Sequence, residues 1–552
     1  MDHDHISNLP RIILHDILSR LSEKDAARTS VLSKAWAETW STFPILSFCD
    51  TKIVGTFPQP MKDFFRKRRL FIDYVKRTLL RFRDQVLAVK EFKLGVNSFD
   101  LHYMSKDVDL WLKLAGESGV EVLQVCLPDR ADQDGEGQEL CYVLPIGVLE
   151  SKSLKKIELM GGIRVDPAFM NCSIKFFSLR ELSLWSVLLG DEQAIEYLIS
   201  RCPLLEYVTL KCCSVLNPGG AGGLLESRTC QIKSIRMRGL PKLKGVDVQG
   251  IQEVYVDAPS LENLCFCPGD FNAPCKLEFE RCTNLKGLHL WSFKSTIITE
   301  KWFIELFFKF PLLESLKLDN CTMSERICIS SDKLKVLMLS GCSNLKEVII
   351  DAPNLSSGQF CGDGIGAEKP IISFLRSSSQ LEVKVMMFLD HLDLCNLRGF
   401  LQNFKPLNAL ASLSLFIHQP FVDEFNPVVL QDSSSLPIIK LLDLRSVPKN
   451  ETFFWPVVNS LLSSCCPETI TLSLHSFFCS RAFIEFFYET LMGRKENDCF
   501  CSSGSAKCWW HGLKGVKVTN TRNADDNVDF KTMLDALPTW AIHDNIIFRL
   551  EL

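Results

Sequence analysis

The chain has 552 residues, more than one compact globular domain usually holds, unless the chain is a repeat array that grows by stacking. Its 62 basic and 66 acidic residues leave a net charge of −4, so no global field points to nucleic acid or an anionic membrane. Neither an apolar run of about 18 residues nor a basic-then-apolar leader is present, which sets aside a membrane span and a secretory signal. The 23 cysteines, an odd number with no export signal, favour reduced thiols over a disulfide framework, and the cytosol or nucleus as the address.

The N-terminal segment predicts three short helices. Pro10 suits a first helical position, where a missing N–H costs nothing. Ile13, Leu14, Ile17, Leu18 and Leu21 then share one helical face. Ser22 and Asp25 form a capping pair for a second helix through Ala26, Ala27, Val31 and Leu32. Trp36 and Trp40 lie one turn apart on a third, which Pro44 helps end. A segment this short carries more apolar side chains than it can share internally. The surplus either docks a partner or packs as a cap on the rest of the chain; periodicity alone does not choose between them.

Residues 64–84 are helical in pattern, with Phe64, Phe71, Val75, Leu79 and Phe82 on one face. The other face holds Arg66, Lys67, Arg68 and Arg69, then Lys76, Arg77, Arg81 and Arg83. A solvated helix face is the ordinary reading, and an anion-binding or nuclear-import patch is the sharper one. Beyond residue 90 an LxxLxL rhythm recurs, clearest at residues 179–184, 205–210, 285–290, 313–318 and 334–339. Weaker copies end at Leu94, Val125, Leu159, Met237, Phe266, Phe360, Val385, Leu415, Leu444, Leu474 and Val518. Fourteen of the fifteen gaps between successive anchors lie between 21 and 34 residues, the period of a leucine-rich solenoid.

Each repeat predicts a short strand of a parallel concave sheet, with helix-like returns such as 191–201 and 301–309 on the convex side. Cys212, Cys282, Cys321 and Cys342 fall where the chain turns off a strand, a corner suited to a small, weakly bonding side chain. Side chains flanking the inward leucines would face a ligand. They include Trp185, Arg236, Arg238, His289 and Trp291, a set of interface-prone types, followed by Lys317, Met338, Met386, Phe416 and His475. Residues 129–139 and 217–223 read as surface loops.

No P-loop, nucleophile elbow, zincin or dinucleotide motif occurs, so no enzyme activity and no cofactor are expected. Cys499, Cys501, Cys508 and His511 are the best metal candidates, but their spacing is cramped and fits no standard finger. No metal site is assigned to them.

The run from Ile6 to Phe48 resembles the F-box of plant F-box proteins with leucine-rich repeats. Its matching residues are Leu9-Pro10, Ile17-Leu18-Ser19, Leu21-Ser22, Lys24-Asp25-Ala26, the run from Arg28 to Lys34, Trp36, Trp40 and Phe43-Pro44. Arg11 and Ile12 stand where the family usually has acidic residues, and Ala35 where it has a basic one. The resemblance implies a Skp-type adaptor as partner and, through it, a cullin-based ubiquitin ligase. Leu9, Pro10, Ile13, Ile17, Leu18, Leu21, Val31, Leu32 and Trp36 would then bind the adaptor.

The expected fold is α/β: an F-box over 1–48, a linker helix region over 49–90, a solenoid over 91–480 and a C-terminal cap over 481–552. The expected role is a non-catalytic substrate receptor that holds a target protein on the repeats. A ligand-dependent sensor in the same complex, and an F-box scaffold outside any ligase, are the alternatives. No nucleic acid or membrane partner is expected.

Overall fold

The computed structural model describes residues 6–7, 9–52, 61–97, 101–128, 141–171, 178–216, 229–294, 296–362, 370–390, 393–394, 396–402, 404–405, 410–417, 436–473, 480–493, 513–520, 530–535 and 545–551. They form two compact units, residues 1–285 and 286–552.

The first unit begins with helices α1 (Arg11–Ser19), α2 (Glu23–Thr29) and α3 (Lys34–Ser41). Pro10 is the N-cap of α1, so the helix starts one residue later than the proline rule places it. The Ser22–Asp25 cap is present: Ser22 Oγ accepts from the Asp25 N–H at 3.2 Å and donates to Oδ2 at 2.6 Å. Ser33 caps α3 by accepting from the Trp36 N–H. Strand β1 (Ile45–Cys49) follows α3 directly and pairs in parallel with β2 (Glu91–Gly95). The intervening helix α4 (Met61–Asp84) buries Phe64, Phe71, Val75, Leu79 and Phe82, the apolar face read from the sequence. It packs on α5 (Leu101–Glu117), where the Phe71 and Trp111 rings meet edge to face at 6.1 Å.

From β2 the parallel sheet continues through Val122–Cys126, Lys156–Met160, Glu181–Trp185, Tyr207–Lys211, Gly245–Gln249 and Asn263–Cys267. In these strands the second and fourth residues are buried and the first and third are more open, the period-2 signature of a strand with one covered face. Each buried leucine contributes about 1.5–3 kcal/mol through removal from water.

The second unit repeats the plan. Its parallel strands are Gly287–Trp291, Ser315–Asp319, Val336–Ser340, Ser357–Cys361, Glu382–Leu389, Leu410–Ile417, Ile438–Ser446 and Cys466–Ser473. The last of them pairs antiparallel with Asn545–Glu551, which pairs antiparallel with Gly515–Asn520. Val518 therefore lies in an antiparallel closing strand and not in a further parallel repeat. Leu474 and His475 lie outside the described residues.

The returning segments include the expected helices, at Gln193–Ser200 and Glu300–Lys309. Many others are strands. Ser234–Arg238, Glu253–Asp257 and Lys276–Glu278 form a second parallel sheet in the first unit, and Arg326–Ser330, Glu347–Asp351, Ile371–Arg376 and Phe404–Lys405 another in the second. Met237 thus belongs to a return strand, while Gly245–Gln249, with Val246 and Val248 buried, takes the main-sheet place.

The chain leaves several main-sheet strands through one left-handed residue: Gly161, Ser186, Cys212, Gly250, Ser292, Asn320 or Gly341. The N–H of that residue donates to the last carbonyl of the neighbouring strand, as in Ser186 to Lys211 at 2.8 Å and Asn320 to Ser340 at 2.8 Å. The corner cysteines come next. Cys321 and Cys342 direct Sγ at the Leu290 and Leu318 carbonyls, at 3.8 and 3.5 Å. Cys282 is not at such an exit: it follows the return strand Lys276–Glu278 and directs Sγ at the Val256 carbonyl. In the coil of Cys212 the corner residue is instead Cys213, whose Sγ lies 3.5 Å from the Leu184 carbonyl, whereas Cys212 is exposed.

Candidate functional site: the N-terminal helices and the sheet face

Leu14, Leu18, Ala26, Trp36 and Phe43 form the core of the N-terminal module, with Leu9, Ile17, Trp40 and Ile45 packed against it. Leu18 and Trp36, 1% and 6% exposed, are corrected here: their side chains hold the helices together and cannot reach a partner. Of the remaining candidates, Leu9 and Ile17 are half-buried against that core and the others are exposed. Val31 and Leu32, at 84% and 69% exposed, stand in the turn after α2, Ile13 and Leu21 are about half-exposed, and Pro10 is exposed. Ile12, 83% exposed beside Ile13, adds to this exposed apolar group, and an isoleucine outside the i, i+4 core stripe is a readable signal of that exposure.

The module's polar contacts are local. Arg11 reaches Glu38 at 2.8 Å, tying α1 to α3. His15 Nε2 lies 3.3 Å from the Thr39 carbonyl and 3.4 Å from Thr42 Oγ1. Burial is the main cause that pulls His15 below the usual histidine range, against the Thr39 contact, which raises it.

On the sheet face, Trp185 and Trp291 are exposed on their own units. Lys211 Nζ sits 4.4 Å from the Trp185 ring centre and 2.8 Å from Asp247, and Trp185 Nε1 donates to Ser183 Oγ at 2.8 Å. In the second unit, His289 Nε2 meets Asp319 Oδ2 at 2.6 Å and its ring stacks with Trp291 at 6.3 Å. Lys317 and Met338 flank His289 on the next strands, and Met386 and Phe416 lie further along that sheet.

Arg236 and Arg238 require correction, because they stand on the return-strand sheet and not on the main one. Arg236 lies over Tyr255, 4.9 Å from the ring centre, and its N–H donates to Glu196 Oε1 at 2.8 Å. Arg238 lines a cleft of about 550 Å³ with Tyr255, Asp257, Glu278, Glu280 and Arg281. The error follows from pattern: Ile235 and Met237 alternate with polar residues as main-sheet strands do, and period 2 does not say which sheet a strand joins.

The buried cysteines offer no nucleophile. Burial pushes the thiols of Cys202, Cys213, Cys342 and Cys465 up to about 12. Cys499, Cys501, Cys508 and His511 lie outside the described residues. Among the described residues, no group of three or more metal-ligating side chains converges, and no helix is long and apolar enough to cross a membrane.

Family comparisons agree with this arrangement. Residues 6–48 match the F-box domain, residues 108–290 match the leucine-rich repeats of FBD-associated F-box protein At5g56370, and residues 229–421 match the leucine-rich-repeat domain of At1g61320/AtMIF1. Among curated relatives in Arabidopsis thaliana, the probable FBD-associated F-box protein At1g32375 is 29% identical over 47% of this chain and 55% of its own. The F-box/FBD/LRR-repeat protein At1g13570 is 32% identical over 44% and 53%, and the FBD-associated F-box protein At5g56370 is 27% identical over 60% and 78%. The chain spans about half the length of the first of these relatives that it matches. The chain thus carries an F-box followed by leucine-rich repeats similar to those of plant F-box proteins.

Proposed function

We propose that this chain is the non-catalytic substrate-recognition subunit of a Skp–cullin–F-box ubiquitin ligase, acting in the cytosol or nucleus. The N-terminal helices bind a Skp-type adaptor, and the repeats hold a target protein near the ubiquitin-carrying enzyme. Its contribution is proximity, which raises effective molarity without any catalytic group in this chain. The observation that carries the reading is the exposure of Ile12, Ile13, Leu21, Val31 and Leu32 on a module whose core is already closed by Leu14, Leu18 and Trp36. So many large apolar side chains left in water within one short module support an interaction role for it. The buried thiols and the exposed tryptophans of the sheet face fit a binding scaffold better than an enzyme.

Co-purification of the full chain with a Skp-type adaptor tests the reading, beside a Val31→Glu, Leu32→Glu variant. Both positions are too exposed to support the core, so the variant should keep its circular dichroism and lose the adaptor. A folded wild-type chain that binds no adaptor would refute the proposal.

A further inference from the structure

The return helix Glu300–Lys309 of the second unit is capped by Thr299, whose Oγ1 accepts from the Trp302 N–H at 3.4 Å. Phe303 and Leu306 face inward, as does Phe310 just past the helix end, and the helix packs on the return strand Arg326–Ser330. The opposite face is apolar too. Ile304 and Phe308, one turn apart, are 63% and 87% exposed, and Ile297 and Leu312 extend the stripe beyond the two ends of the helix. Phe308 is the most exposed aromatic side chain among the described residues. The return helices Gln193–Ser200 and Arg481–Met492 carry no such stripe. The first exposes Gln193 and Ser200, and the second turns an Arg481–Glu485 ion pair outward at 2.9 Å.

The rim of the stripe carries both signs. Glu300, Lys301, Glu305 and Lys309 are all exposed, so the helix has no net charge. Lys301 reaches Glu305 at 3.6 Å, a loose bridge between two solvated side chains. An apolar patch without a net field selects neither an acidic nor a basic partner, yet it meets its own copy without repulsion. About a twofold axis beside Phe308, two such helices run antiparallel. At 1.5 Å per residue, Glu305 lies about 4.5 Å before Phe308 along the helix and Lys309 about 1.5 Å after it. The twofold brings Lys309 of the second copy within about 3 Å of Glu305 along the axis, and the reverse pair follows by symmetry. The same operation sets Phe308 against its own copy and Ile304 against Leu312. The helix dipoles then oppose one another, whereas a parallel pair would put Lys309 beside Lys309.

We propose that this stripe is a homodimer interface, through which two copies of the chain pair antiparallel across Phe308. Its apolar centre supplies the driving force, and the reciprocal Glu305–Lys309 contacts fix direction and register. Phe308 is the anchor, because a phenyl ring this exposed has the most water to lose. The inference uses the second unit alone and does not rest on the receptor role. Joined to that role, it gives a subunit with two target-holding faces, which favours targets that present a recognised segment twice.

Sedimentation velocity on the full chain over a concentration series tests this, and a monomer–dimer equilibrium is the expected result. Phe308→Glu, checked for unchanged circular dichroism, should raise the dimer dissociation constant at least about a hundredfold, since each copy loses its anchor. Ile304→Glu, at the neighbouring exposed position, should act in the same direction. Glu305→Lys alone and Lys309→Glu alone should each weaken the dimer about tenfold, and the two together should restore it. A wild-type chain that stays monomeric up to its solubility limit would overturn the proposal, whatever other protein might use the stripe. So would a dimer that both Phe308→Glu and Ile304→Glu leave intact. If the double charge exchange fails to restore pairing, the antiparallel arrangement is wrong and the proposal falls with it.

Discussion

The left-handed strand exits make a sharp prediction at Gly161. Its φ is +85°, and a Cβ built there would lie 1.8 Å from the Leu127 carbonyl oxygen and 3.0 Å from its carbon. Left-handed backbone costs a residue with a side chain about 1–2 kcal/mol. The overlap adds to this, because the obstacle is backbone and cannot swing aside as a side chain would. Moving it strains the Leu127 N–H bond to the Met160 carbonyl and the Gly162 N–H bond to the Pro128 carbonyl, both 3.0 Å. Losing one such bond costs about 0.5–1.5 kcal/mol. Gly161→Ala should therefore destabilise by about 2–4 kcal/mol. Ser186 supplies the control, since it holds the equivalent turn at φ +55° with a side chain already in place. Ser186→Ala should cost under about 0.5 kcal/mol. Urea unfolding followed by circular dichroism compares the two, and hydrogen exchange should show the loss concentrated over residues 122–165. If the two variants agree within about 0.5 kcal/mol, the coil yields to the new methyl and the reasoning is wrong.

Other consequences can be measured on the same full-length protein. Leu18→Ala should cost about 2–5 kcal/mol, while Leu32→Ala at its exposed position should stay within about 0.5 kcal/mol; similar urea midpoints for the two would contradict the core assignment. Because burial lowers the pKa of His15, the unfolded chain takes up that proton more readily than the folded one. The stability it contributes is complete above about pH 6.5 and is lost as pH falls through the folded value. Amides of α1 and α3 should thus lose exchange protection as pH falls below about 6.5, and a His15→Gln variant should flatten that dependence. Iodoacetamide at pH 8 should label exposed Cys212 and spare Cys213, whose thiol burial raises to about 12, until the chain is unfolded; mass spectrometry reads both sites. Trp185→Ala should cost about 0.5–1 kcal/mol through loss of the Lys211 contact, and no measurable change in thermal stability would mean that the contact carries nothing.

The sequence made the N-terminal helices legible because their caps and stripes are local: Ser22 with Asp25, and the buried face of α4, follow from spacings of three and four residues. The main-sheet rhythm was readable for the same reason, since leucines two apart mark a one-sided strand. Which of two sheets a strand joins is a nonlocal fact. Ile327 with Ile329, and Val348 with Ile350, are patterned and buried like the leucines of the main sheet, yet build the return layer. Arg236 and Arg238 were misplaced on that account. The exit turn escaped notice because Ser, Cys, Asn and Gly all serve there, so no single letter repeats. The partner of Asn545–Glu551 lies some eighty residues upstream in sequence, at Cys466–Ser473, where no window of periodicity reaches.

The direct passage from α3 into β1 has a practical consequence for anyone exchanging modules among such proteins. The end of the F-box match at residue 48 is a boundary of resemblance; mechanically, the seam falls elsewhere. Pro44 already accepts hydrogen bonds from the Lys90 and Glu91 N–H groups, and the five residues after it are woven into the sheet. A graft cut at residue 48 would sever a strand and leave β2 as a raw border. A graft carried through Cys49 would import a foreign first strand that must keep Leu46 and Phe48 in register with Phe92 and Leu94. Torque applied to the N-terminal helices passes straight into the first coils, with no swivel at this junction to absorb it.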